Sequence, residues 1–161
     1  MSYIQNVAEH EATGELAALY RRLAYPDGSV DKAFKALSLN PALLAADAAL
    51  YQETMYGSSP LSRADRELLA VIVSRVNACE RCTAHHGAQL DRLLSPADRK
   101  RLAPVLADGN PSGLPQRDRL MIRFAQKLSR APSSICGTDI EALREGGFSD
   151  RAILDLCNLV S

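Results

Sequence analysis

The sequence predicts an all-α protein: one compact helical domain spanning residues 1–161, built from about seven to nine helices. Three observations lead there. Helix start and stop signals recur along the chain, whereas alternating β-branched runs bounded by turn residues are nearly absent. Hydrophobic residues make up 47% and charged residues 24%, an ordinary globular balance. The 161 residues suffice for one sizeable core and are too few for two ordinary domains.

The elements follow in order. Gly14 to Leu23 reads as a first helix and Asp31 to Leu39 as a second, separated by a turn at Pro26-Asp27-Gly28. Asn40 caps a third helix with Pro41 at its first position, running through ALLAADAALYQETMY to a stop at Gly57. Ser62 and Asp65 form a capping-box pattern ahead of RELLAVIVSRV. A further helix is expected from about Cys79. Ser95-Pro96 opens another, which Pro104 is expected to end or bend. Asp108 to Gly113 is a loop. Thr138 with Glu141 reads as a capping box, and Gly146-Gly147 closes that helix after about two turns. Ser149-Asp150 caps the last segment, RAILDLCNLV, whose apolar pattern runs to the final residue. Either this end docks into an interface or the natural chain continues.

Charge excludes some partners. Lys plus Arg and Asp plus Glu are both 19, so the formal charge is zero. A nucleic-acid or anionic-membrane partner calls for a basic excess, and the short run Arg99-Lys100-Arg101 reads as a solvated helix face. The N-terminal residues lack the pattern of a signal peptide, and the longest apolar run, Leu68 to Val73, is far too short to span a bilayer. The expectation is a cytoplasmic protein. In a reducing compartment a close pair of cysteines points to metal or redox chemistry rather than a structural disulfide. No flavin, nicotinamide or metal signature is present, so no cofactor is expected.

The chemistry concentrates in Asn77-Ala-Cys79-Glu-Arg-Cys82-Thr-Ala-His85-His86. On a helix, Cys79, Cys82 and His86 stand at i, i+3 and i+7 and share one face. His85 is turned about 100° away from that face and reads as an auxiliary or packing residue. A thiol in the first turn of a helix is drawn toward thiolate by unpaired N–H groups, and a neighbouring imidazole can take its proton. Two sulfurs one turn apart can close a disulfide with little backbone movement. One thiolate attacks an electrophile and the other resolves the product.

Glu67 is the second unusual feature, an acid entering a helix that is apolar almost all round. Such a carboxylate sits at the rim or is paired. If buried it is expected to have a raised pKa and to relay protons to a nearby histidine. Ser74, seven residues on, shares its face.

Glu67, Cys79, Cys82 and His86, at these intervals, resemble the E-x11-C-x-x-C-x-x-x-H signature of alkylhydroperoxidase D-like proteins. These belong to the carboxymuconolactone decarboxylase superfamily, and the wider sequence context is similar to its peroxidase-related branch over roughly residues 35–161. The resemblance implies an all-helical homo-oligomer, a trimer or hexamer. It also implies a thiol-dependent hydroperoxide reductase whose disulfide is recycled by a dithiol such as a dihydrolipoyl carrier. It makes Cys82 the peroxide-attacking thiol, Cys79 the more solvent-facing resolving thiol, and Glu67 with His86 the proton relay. Helix position alone favours Cys79 as the lower-pKa thiol. Studied members carry a histidine between the cysteines where this chain has Arg81, a cation that favours thiolate but cannot shuttle protons near neutral pH.

The same residues admit other readings. Without a peroxidase role, the pair would serve general thiol–disulfide exchange. Cys79, Cys82 and His86 with His85 or Glu67 would make a structural zinc site, although no second distant ligand pair is present. A helical interaction module, with cysteines packed as small hydrophobes, needs no chemistry at all. Cys136 and Cys157 read as structural, and His10 as a surface residue.

Overall fold

The computed structural model describes residues 3–161. Among these residues it contains nine α-helices, a single 3-10 turn at Pro132–Ser134 and no strand, as the helix signals predict. The chain divides into two compact units, residues 1–53 and 54–161.

The first unit holds α1 (Gly14–Leu23), α2 (Lys32–Lys35) and most of α3 (Pro41–Tyr56). Leu16, Leu19 and Tyr20 project from α1 at helical spacing and bury themselves with Val30 and Leu44. The Tyr20 hydroxyl donates to the Val7 carbonyl, and Glu9 accepts from both the Val30 amide and Lys35 Nζ. The second helix is shorter than the expected span of Asp31 to Leu39. Asp31 does cap it, but after Lys35 the chain continues as successive turns to Asn40, whose side chain accepts from the Leu43 amide to start α3.

The second unit holds α4 (Arg63–Val76), α5 (Glu80–Leu93), α6 (Pro96–Asp108), α7 (Gln116–Arg130), α8 (Gly137–Glu145) and α9 (Asp150–Val160). The apolar helix α4 is central and packs against α5, α7 and α9. Leu69 and Ile72 from α4, Met121, Ile122 and Ala125 from α7, and Leu156 from α9 are fully buried together. Each large side chain so placed contributes about 2–3 kcal/mol of transfer free energy. Helix α7 follows Pro115, which offers no side-chain cap, so no start signal marks it in the sequence.

Helix ends are closed locally. Ser62 and Asp65 bond each other's backbone amides in the expected capping box. The buried guanidinium of Arg66 donates to the Thr54 and Gly57 carbonyls at the end of α3. Pro104 does not end α6, which runs on to Gly109 in the left-handed region. Pro104 is exposed, and the buried neighbours Leu102 and Val105 hold the helix to the core. Helix α8 starts two residues earlier than predicted: Cys136 is its cap, and the Asp139 carboxylate accepts the Cys136 amide. Among the described residues no helix is long and apolar enough to cross a membrane.

Candidate redox site

The site is built on the hairpin of α4 and α5, and the turn between them sets its geometry. Ala78 lies in the left-handed region at φ +53°. Its amide donates to the Arg75 carbonyl and the Cys79 amide donates to the Ser74 carbonyl, a Schellman closure of α4. Glycine normally fills the left-handed position, and an alanine there costs about 1–2 kcal/mol. The closure turns the chain back so that α5 runs along α4, and the tenth residue before Asn77 meets the ninth after it. That pair is Glu67 and His86.

Cys79 is the N-cap of α5, and its Sγ accepts the Cys82 amide at 3.3 Å. The Cys79 carbonyl accepts both the Thr83 amide and hydroxyl, which fixes the cap. Cys79 and Cys82 are joined as a disulfide with their Cα atoms 5.4 Å apart. Cys82 is exposed and Cys79 half-buried, the reverse of the exposure that the resemblance implies. The reason is position: the cap residue backs onto the end of α4, while the third helical residue points to the open side.

Glu67 is fully buried and paired twice. Its Oε2 lies 2.7 Å from His86 Nδ1, and its Oε1 accepts from Arg63 Nη2 at 2.6 Å. Burial pushes the carboxyl upward, but the bonds and charges of His86 and Arg63 outweigh it and hold Glu67 below the ordinary value of 4.5. This corrects the expected rise. A carboxylate can only accept, so His86 Nδ1 donates to it and Nε2 is the ring nitrogen outside that bond.

The four predicted residues therefore stand on one hairpin as two pairs, Glu67 with His86 and Cys79 with Cys82. The His85 ring meets the His86 ring edge-on at a centroid distance of 5.1 Å. The Ser74 hydroxyl is turned to the Ala70 carbonyl of its own helix. Cys136 is exposed at the head of α8, and Cys157 is half-buried with its thiol pushed up by burial. His10 is exposed. Among the described residues no three His, Cys, Asp or Glu side chains gather in a group able to hold a metal ion. Sequence reasoning misses Arg63, whose guanidinium also lies over the Tyr56 ring at 4.1 Å. The available signal was the i, i+4 spacing of Arg63 and Glu67.

The sequence profile of the Carboxymuconolactone decarboxylase family matches residues 41–97, from the start of α3 to the start of α6. A peroxidase-related protein from Silicibacter sp. TM1040 is 35% identical, with a TM-score of 0.74 over 91% of this chain and 75% of that one. The chain belongs to the carboxymuconolactone decarboxylase superfamily, in its peroxidase-related branch. An alkylhydroperoxidase core protein of the same branch, from Ralstonia eutropha JMP134, is 30% identical. It aligns at a TM-score of 0.73, over 91% of this chain and 80% of that one. The debrominase Bmp8 shares the fold, at 16% identity and a TM-score of 0.75 over 99% of this chain and 83% of that one. Members of this superfamily are enzymes. No curated protein sequence matches the chain.

Proposed function

We propose that this protein is a thiol-dependent hydroperoxide reductase in which Cys79 and Cys82 are the redox pair and Glu67 and His86 the proton relay. The observation that carries the reading is the buried Glu67–His86 bond, which orients the imidazole one helical turn from Cys82 on the helix that bears both cysteines.

The chemistry balances as follows. His86 Nε2 takes the Cys82 proton, and the thiolate attacks the terminal oxygen of a hydroperoxide. The O–O bond breaks, leaving a sulfenic acid on Cys82 and an alkoxide that takes the proton back from His86. Cys79 then attacks the Cys82 sulfur. The S–O bond breaks, and hydroxide leaves as water with the Cys79 proton. Two thiols lose two electrons; the peroxide becomes alcohol and water. A dithiol, such as a dihydrolipoyl carrier, returns the electrons by attacking the exposed Cys82 sulfur. Cys79 leaves as a thiolate that the Cys82 amide stabilises. The working form is a homo-oligomer, a trimer or hexamer, as in the alkylhydroperoxidase D-like proteins that the motif resembles.

The test is a thiol count under denaturing conditions, before and after one equivalent of cumene hydroperoxide is added to reduced protein. The chain has four cysteines. Loss of two thiols, prevented by Cys82→Ser, is expected, and four thiols still free would refute the peroxidase reading. The exposure of Cys82 favours a second reading, direct exchange with a disulfide substrate. Oxidised lipoamide in place of the peroxide would then consume the same two thiols.

A further inference from the structure

We infer that Arg63 is a positioning residue of the relay: it holds Glu67 ionised and aimed so that Oε2 alone serves His86. The inference rests on the proposed role of the Glu67–His86 pair and adds a third member to it.

The geometry is specific. A fully buried carboxylate flanked by one imidazole would be poorly compensated, because removing its charge from water costs far more than one hydrogen bond returns. Arg63 stands one helical turn before Glu67 and occupies Oε1 at 2.6 Å. With Oε1 taken, Oε2 meets His86 Nδ1. The order along the hairpin is then the cysteines, His86, Glu67 and Arg63. Arg63 is the first residue of α4, whereas Cys79 bonds back to its last turn, so the arginine and the cysteines belong to opposite ends of that helix.

The guanidinium is itself held. Its central carbon lies over the Tyr56 ring, and its Nη1 is buried with no hydrogen-bond partner among the described residues. A buried donor without a partner is a cost to folding that the bond from the other nitrogen to Glu67 has to offset. A charged guanidinium cannot lose its proton to the carboxylate, so it supplies a constant positive charge beside a group whose proton must not move.

Other charges around α4 are engaged elsewhere. From α7, Arg117 bonds Asp65, and Asp118 bonds Arg101 of α6. From α9, Arg151 bonds Asp155 and the Ser58 carbonyl. On α5, His85 sits edge-on to His86. The side chains acting on the Glu67 carboxylate are His86 and Arg63.

The experiment compares the full-length wild type, Arg63→Gln and Arg63→Lys. The Glu67 carboxyl carbon is followed by NMR against pH, together with the pH profile of thiol loss to cumene hydroperoxide. In the wild type the carboxyl midpoint lies below 4.5. In Arg63→Gln it rises by at least about one pH unit. The acid limb of the thiol-loss profile moves the same way, and Arg63→Lys restores most of both. A Gln variant with wild-type midpoint and profile overturns the inference, as do Lys and Gln variants that behave alike. If Arg63→Gln does not fold, Arg63→Met is compared in its place: a midpoint raised by at least about one pH unit supports the inference, and a wild-type midpoint overturns it. A wild type that consumes no peroxide sinks the proposed function, while the carboxyl titration still decides the role of Arg63.

Discussion

Replacing Glu67 by glutamine changes almost no volume and removes one charge, so it isolates what the ionised carboxylate does. Glu67 accepts two bonds, from Arg63 at 2.6 Å and from His86 at 2.7 Å. An amide has one acceptor oxygen, so only one partner keeps its bond unchanged. If Arg63 keeps it, the amide N–H₂ faces His86 Nδ1, and the ring proton must move to Nε2 for Nδ1 to accept. That tautomer removes the basic atom from the side where the thiol proton is handled. Each charge-assisted bond contributes roughly 1.5–3 kcal/mol and a neutral one roughly 0.5–1.5. The Arg63 and His86 side chains keep 24% and 15% exposure, so water offsets part of the loss. The expected cost is about 2 kcal/mol, or a melting point lower by about 6 °C for a chain of this size. The rate of thiol loss to cumene hydroperoxide at neutral pH should fall at least about 100-fold, the contribution of a positioned general base. Urea unfolding measures the first quantity and stopped-time thiol titration the second. A stability change under about 0.5 kcal/mol would place Glu67 among inert surface positions and refute the packing argument. A rate within about threefold of wild type would refute the relay.

Three further outcomes follow from the same structure. Because the native carboxyl of Glu67 lies below its unfolded value of 4.5, the unfolded chain binds that proton more readily. Its stabilisation is therefore present above that value and lost as pH falls through the native midpoint. The wild-type advantage over Glu67→Gln in urea midpoint should shrink across that acidic window, and a constant difference would contradict it. Ala78→Gly relieves the left-handed alanine, worth about 1–2 kcal/mol, against roughly 0.4–1 kcal/mol of added chain entropy. Differential scanning calorimetry should show a net gain of about 0.5–1 kcal/mol, and a loss would refute the strain argument. Met121→Ala, at a position with no exposure, should cost about 2–5 kcal/mol in urea unfolding, and a cost under about 1 kcal/mol would mean the α4–α7 seam is not tightly packed.

Much of the fold was legible from short-range chemistry. Ser62 with Asp65, Asn40 with Pro41, and Ser149 each act within a turn of their own position, so their effect can be read without knowing the rest of the chain. Where reading failed, a longer-range partner decided. Of the two outcomes read for Pro104, ending α6 is the one that does not occur, because Leu102 and Val105 anchor the helix in the core. The α8 start shifted because Asp139 caps Cys136 rather than Thr138 capping Glu141, and Lys127 of α7 holds that aspartate at 2.7 Å. The second helix fell short because isolated helices of one or two turns gain little without a buried face, and α2 has no buried residue.

The candidate site divides along the same line. The sequence by itself determined that Cys79, Cys82 and His86 share a helix face, because helical periodicity is a local property and their spacing settles it. It also marked Glu67 as an acid in an apolar helix. What the carboxylate does there was decided only by tertiary structure. The hairpin brings His86 to one oxygen, Arg63 takes the other, and their hydrogen bonds and electrostatics together outweigh the desolvation that would have raised the pKa. Which sulfur faces water was likewise a matter of how α5 meets the end of α4. Electrostatic balance and exposure are sums over every group that surrounds a site, and the chain must fold before those groups are neighbours.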